Sequence, residues 1–202
     1  MNTVDMLRAM IKRLIAGGIV GGITLFMWGF ISWVILTWHF DTLRHDSSVT
    51  AVVEDIEDHL PETGVYYFPP VPTMRPDKAE KEAYMELHKS GPSGMIFYIA
   101  EHADPMPPRR LLLGFIVDIG AATFATLLLI VALPSLPKYW GRVVFVAALG
   151  VFAILAVRMI DGVFHNLPIQ WTVNQSLDTA ISWVLVGLVL AAIVRPAKDS
   201  VE

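Results

Sequence analysis

The sequence predicts an all-α membrane protein: four transmembrane helices, with a small α+β extracytoplasmic domain between the first and the second. Three observations carry this. The 202 residues are 54% hydrophobic and only 17% charged, against about 25% charged in a soluble domain, and mean hydropathy is +0.55. Apolar runs cover residues 14–38, 111–133, 143–164 and 180–194, and a spanning helix needs about 20 such residues. Lysine and arginine near the run ends fall almost wholly on one side.

The expected order is a cytoplasmic N-terminus (1–13), spans at 14–38, 110–133, 143–164 and 178–194, an extracytoplasmic segment (39–109), a cytoplasmic loop (134–142), an extracytoplasmic loop (165–177) and a cytoplasmic tail (195–202). The fourth run is short unless 177–179 join it. The first run is too long for a signal peptide and no A-x-A-like site follows Trp38, so an uncleaved signal-anchor is expected. Arg8, Lys12, Arg13, Lys138, Arg142, Arg195 and Lys198 lie on the side assigned to the cytoplasm, and the loop between the third and fourth spans has no lysine or arginine. Arg109 and Arg110 run against this, but they end a long loop, and long loops translocate largely regardless of charge. Both termini are therefore expected inside.

Within 39–109, "SSVTAVVEDIEDHLP" reads as an amphipathic helix, with Ser47 or Ser48 as cap, Val49, Val52, Val53, Ile56 and Leu60 at helical spacing, and Pro61 as its end. "GVYYFPP" is a strand stopped by prolines. "PDKAEKEAYMELHKSG" is a second helix and "GMIFYIAEH" a second strand. The link between the strands is long enough for a crossover helix, which allows a parallel pair. A unit this small is marginal alone, so it is expected to lean on the membrane surface or a partner. Tyr66, Tyr67, Phe68, Phe97 and Tyr98 are expected to pack, not to form a ligand cage.

No motif assigns chemistry to this segment. There is no cysteine, hence no disulfide, thiolate metal site or cysteine nucleophile. His59, His88 and His102 lack metal-ligand spacing, and no metal or other cofactor is expected. Glu54, Asp55, Glu57 and Asp58 read as a solvated helix face. G-x-S-x-G, H-E-x-x-H and phosphate-binding glycine loops are missing. The net charge of -4, with no basic stripe, gives no support to nucleic-acid binding. Asn174-Gln175-Ser176 fits the glycosylation triplet, a pattern common by chance.

The spans carry two sets of candidate residues. Gly17 with Gly21, and Gly18 with Gly22, make two G-x-x-x-G pairs, which let a neighbouring helix approach backbone to backbone, from the same chain or another subunit. Trp38 with His39 fits an outer aromatic belt, Trp28 lies too deep for one and packs between helices, and Trp140 and Trp171 read as anchors on opposite sides. Asp118 and Arg158 lie at matched depths, roughly 10 Å and 9 Å from the outer ends of their spans at about 1.5 Å per residue. Asp118 shares a face with Gly114, Ala121, Ala122 and Ala125, and Arg158, Asp161 and His165 recur at three and four residues. Asp178 opens the fourth span at the same level. Charges in a bilayer need partners or a cavity, so a structural cluster of Asp118, Arg158, Asp161 and His165 is expected, centred on an Asp118–Arg158 ion pair.

"FMWGFISWVILTWH", "TGVYYFPP", "KSGPSGMIFY" and "YWGRVVFVAALGVFAILA" together resemble a group of bacterial inner-membrane proteins with no assigned activity. The resemblance extends over nearly the whole chain. It implies a bacterial source and four spans, and brings no catalytic residues.

Three functions compete. The first is a non-catalytic accessory or assembly subunit whose partners are membrane lipids and other membrane proteins or further copies of itself. The second is a small self-associating transporter or channel, which needs Asp118, Arg158 or His165 to face water. The third is a lipid- or envelope-modifying enzyme with outer carboxylates and His39 or His165 as acid and base. Dry inner halves such as "FAILAV" and "VLVGLVLAAIV" weigh against the second, and no spacing singles out a catalytic pair for the third.

Overall fold

The computed structural model describes residues 3–44, 46–101 and 104–196. His102 and Lys198, used above, lie outside the described residues. Four helical stretches are long and apolar enough to cross a membrane: Val4–Ile35, Pro108–Ser135, Tyr139–Phe164 and Ile169–Ile193. The first is α1 (Thr3–Phe30), which ends in π-helical turns over Ile31–Ile35. After it come α2 (Val49–His59), β1 (Gly64–Phe68), α3 (Lys78–Ser90) and β2 (Gly94–Tyr98). The second span is α4 (Pro108–Ala132). The third is α5 (Tyr139–Ala153), a π-helical stretch Ile154–Met159, and the short α6 (Ile160–Phe164). The fourth is α7 (Ile169–Ile193).

Two of these helices start well before the apolar runs. Arg8, Lys12 and Arg13 already lie on α1. The polar stretch "QWTVNQSLDT" is not a loop, since it forms the first turns of α7. Hydroxyls turned back onto the helix make that helix tolerable in apolar surroundings: Thr172, Ser176 and Thr179 donate to the carbonyls of Pro168, Thr172 and Gln175. Asn174, the residue of the glycosylation triplet, is also helical, and its amide donates to the Trp38 carbonyl at 2.9 Å.

The spans pack in the order α4, α1, α7, α5, and consecutive α4 and α5 touch little. Small residues set the close approaches. A Cβ at Gly22 would stand 2.7 Å from the Ile119 Cα, one at Gly21 would meet Ala122 at 2.9 Å, and Gly17 and Gly18 lie against Thr126 and Thr123. The glycines therefore seat α4 of the same chain. Thr123 and Thr126 can enter this seam because each hydroxyl is spent on its own helix, on the Ile119 and Ala122 carbonyls. Two further glycines seat the third span on α7: Gly150 under Trp183 and Gly162 under Thr172. Between lipid-bathed helices such contacts act through dispersion at short range.

The apolar core gathers Ala125, Leu129, Val146, Val186 and Leu190 from α4, α5 and α7, with Val194 just past the end of α7. Arg142 closes that end. It is buried, and its guanidinium donates to the carbonyls of Leu136, Pro137 and Ala191, which ties the α4–α5 connection to the last turns of α7. Arg142, expected to end the loop 134–142, thus lies on α5 and caps carbonyls.

Between the first two spans, β1 and β2 pair antiparallel, with Gly64 opposite Tyr98 and Phe68 opposite Gly94. The parallel alternative is thereby corrected: α3 is an excursion within a long hairpin, not a crossover. Gly94 makes room for the Phe68 ring, which a Cβ there would meet at 2.5 Å. Asp77 and Glu80 form a capping box at the start of α3. At α2 neither serine caps through its side chain. Asp46 instead accepts from the Ser48 amide and hydroxyl, which lowers its pKa below the usual carboxylate range. Thr63 donates to Glu101 at 2.8 Å and accepts from the Ala100 amide, joining the two ends of the hairpin.

Candidate functional site

Where α1 ends, the chain passes through wide turns and folds back. Ser32 lies on those turns, and His39 follows the span. Both are fully buried. Asp178 meets them from α7: its Oδ1 accepts from Ser32 Oγ at 2.6 Å and from Trp28 Nε1 at 2.8 Å. Ser32 Oγ is also 2.9 Å from His39 Nε2 and accepts from Trp38 Nε1 at 3.1 Å. The hydroxyl has one proton, and Asp178 takes it. His39 then donates to the hydroxyl through Nε2–H. The other ring nitrogen, Nδ1, is buried and has no hydrogen-bond partner among the described residues. Trp33 stacks flat on the imidazole, with centroids 4.0 Å apart.

This knot corrects two expectations. His39 is not part of an interfacial belt, and Trp38 spends its indole N–H on Ser32. Trp28 does pack between helices, with its N–H on Asp178. Trp140 is largely exposed, and Trp171 lies edge-on to Trp33. A serine, a histidine and an aspartate in contact invite comparison with a hydrolytic triad, but the arrangement differs. The aspartate holds the serine and not the far nitrogen of the histidine, and the serine oxygen has no lone pair or surface left for a substrate.

Beside the knot lies an open cavity of about 420 Å³. Leu25, Trp28 and Gly29 of α1, Asp118 and Ala121 of α4, Val157 and Arg158 of the third span, and Asp178, Thr179 and Ser182 of α7 line it. The pairs α1–α4, α1–α7 and α5–α7 are closely packed, so the open side is the gap between the second and third spans. Arg158 sits on the π-helical stretch and is exposed. It also lines a second cavity of about 500 Å³, with Asp161, His165, Trp171, and Met95 and Phe97 of β2.

Of the expected polar cluster, Asp161 and His165 stand 3.5 Å apart one helical turn from each other. Asp118 and Arg158 face one cavity, yet no ion pair joins them among the described residues. The central pair is therefore corrected to two separate charges on facing walls. Gly114 has open space around it, so the small-residue face of α4 engages its neighbours through Ala122 and Ala125, both buried. Ser32 and the hydrogen-bonding role of Asp178 were missed. The one signal for them was a serine and an aspartate within otherwise apolar helices, the aspartate disguised by a polar run that looked like a loop.

Fold and site together define a multi-pass membrane protein with a polar knot and a charged cavity at one end of a four-helix unit. The sequence matches no protein-family model, no curated protein and no solved structure.

Proposed function

We propose that this chain is a non-catalytic accessory or assembly subunit of a larger complex in a bacterial inner membrane, with both termini cytoplasmic and the segment between its first two spans outside. One observation supports it above others: that segment has no core of its own. Of the described residues 46–101, only Pro69 is buried. Phe97 is 71% exposed, and Val52, Val53, Val71, Met74 and Ile99 are uncovered too. Apolar side chains left open on a small extramembrane unit mark a surface that a protein or the membrane covers, and the reading taken is a protein. The glycine seams are already filled within the chain, so the partner's contact falls on this segment. Sidedness rests on the lysines and arginines near the span ends.

A transporter is less favoured because the core of Leu129, Val146, Val186 and Leu190, among the described residues, is apolar. An enzyme using His39 is less favoured because that ring is enclosed. The test is a photo-crosslinking residue at Phe97 in living cells, with the same probe at lipid-facing Val144 as control. A discrete protein adduct from position 97 alone supports the proposal. Lipid adducts only, at both positions, refute it.

A further inference from the structure

The charges around the cavity are not matched to each other. Asp178 is held through Oδ1 by Trp28 and Ser32, with His39 Nε2 3.8 Å from the same oxygen, while its Oδ2 takes no hydrogen bond among the described residues and is free for a ligand. Asp118 has neither a hydrogen-bond donor nor a cation beside it among them, and Arg158 across the cavity has no carboxylate in ion-pair contact. Charges of opposite sign inside a membrane unit normally close on one another or on a ligand, because each alone is costly there. Here a cavity of about 420 Å³ separates them. A group that carries a cation and an anion a few bonds apart answers both at once. The cavity is also open along the gap between the second and third spans, the side from which a lipid enters without crossing water.

We propose that this cavity binds the headgroup of an aminophospholipid. The guanidinium of Arg158 takes the phosphate, in the forked geometry that suits it. The carboxylates of Asp118 and Asp178 take the primary ammonium. Two carboxylates to one guanidinium leave an excess negative charge, which selects for a headgroup with a free ammonium and against an anionic one. The acyl chains remain in the gap between α4 and the third span. This site is independent of the protein contact proposed for the segment between the first two spans, and either can fail alone.

The full chain is reconstituted in nanodiscs of equal parts phosphatidylethanolamine and phosphatidylglycerol, released, and weighed by native mass spectrometry. The expected result is a retained phosphatidylethanolamine adduct. Asp118→Asn and Arg158→Gln should each lower its occupancy about tenfold, as expected for loss of one charge-assisted hydrogen bond. Ala121→Leu, which fills the cavity and leaves every charge in place, should also abolish retention. Thermal unfolding of each variant separates loss of the site from loss of the fold. Equal or preferential retention of phosphatidylglycerol overturns the proposal, as does wild-type retention in folded Asp118→Asn and Arg158→Gln variants. Free phosphoethanolamine is the second arm: if it binds the delipidated protein as tightly as the lipid does, the ligand is a soluble zwitterion and the lipid assignment fails.

Discussion

Ser32 Oγ donates a 2.6 Å hydrogen bond to Asp178 Oδ1, and this contact fastens the last turn of the first span to the fourth. Asp178→Ala removes the acceptor of Ser32 and of Trp28 together. Polar contacts within membranes average about 0.6 kcal/mol and reach about 1.7, so a loss of roughly 1–3 kcal/mol is expected. Asp178→Asn keeps an acceptor oxygen and should lose less. Denaturation of the detergent-solubilised protein reads both. An alanine variant as stable as the parent would show that the knot contributes nothing.

The glycine seam makes a sharper contrast. Gly22→Leu drives a side chain into the Ile119 backbone, whereas the surroundings of Gly114 are open. Overpacking of this kind costs about 1–3 kcal/mol. Gly22→Leu should therefore reduce accumulation in the membrane, and Gly114→Leu should not. Equal accumulation of the two variants contradicts the seam.

Arg142 is expected to be intolerant of lysine. Its guanidinium serves three carbonyls, those of Leu136, Pro137 and Ala191, and an ammonium on a flexible stem cannot span the same fork. Arg142→Lys should lose about 1 kcal/mol or more, and Arg142→Ala at least as much, since buried carbonyls are left unpaired. Proteolysis of the α4–α5 connection offers the readout: faster cleavage in both variants is expected, and unchanged cleavage counts against the cap.

Glu101 has a pH signature. The Thr63 hydroxyl holds its carboxyl below the usual carboxylate range, mainly through their hydrogen bond. A depressed folded-state pKa means that the contribution is complete above the unfolded value and is lost as pH falls through the folded one. Joining of the hairpin ends should therefore weaken in acid. Thr63→Val should raise the Glu101 pKa, followed by side-chain NMR titration. No movement would mean that the hydroxyl does not set it.

Existence and order of the elements were legible because hydropathy and turn chemistry are local. The runs gave four spans, the Asp77 cap and Gly91 bounded α3, and both strands fell where aromatic and β-branched residues cluster. Strand direction was not legible, since it depends on how α3 returns the chain. The start of α7 was misplaced because its polar side chains are satisfied within the helix, at Pro168, Thr172 and Gln175, and hydropathy counts them as if they needed water. Matched depth brought Asp118 and Arg158 to the same cavity level, but depth carries no information on lateral separation, and α4 and the third span stand apart. The knot was hidden because His39 lies past the apolar run and folds back beneath Trp33.

The π-helical stretch Ile154–Met159 acts as a phase correction for the third span. Gly150 and Gly162 both face α7, one under Trp183 and the other under Thr172. Twelve steps of uninterrupted α-helix would leave the second glycine about 120° round the axis from the first, at about 100° per residue. A wide turn absorbs one extra residue, and that offset shrinks to about 20°. The span is thus two helical frames spliced by a one-residue insertion, each in register with the same neighbour. Sequence drift along it can exchange one apolar side chain for another, but a gain or loss of a single residue between the two glycines would throw one frame off α7 and turn Arg158 relative to the cavity it lines.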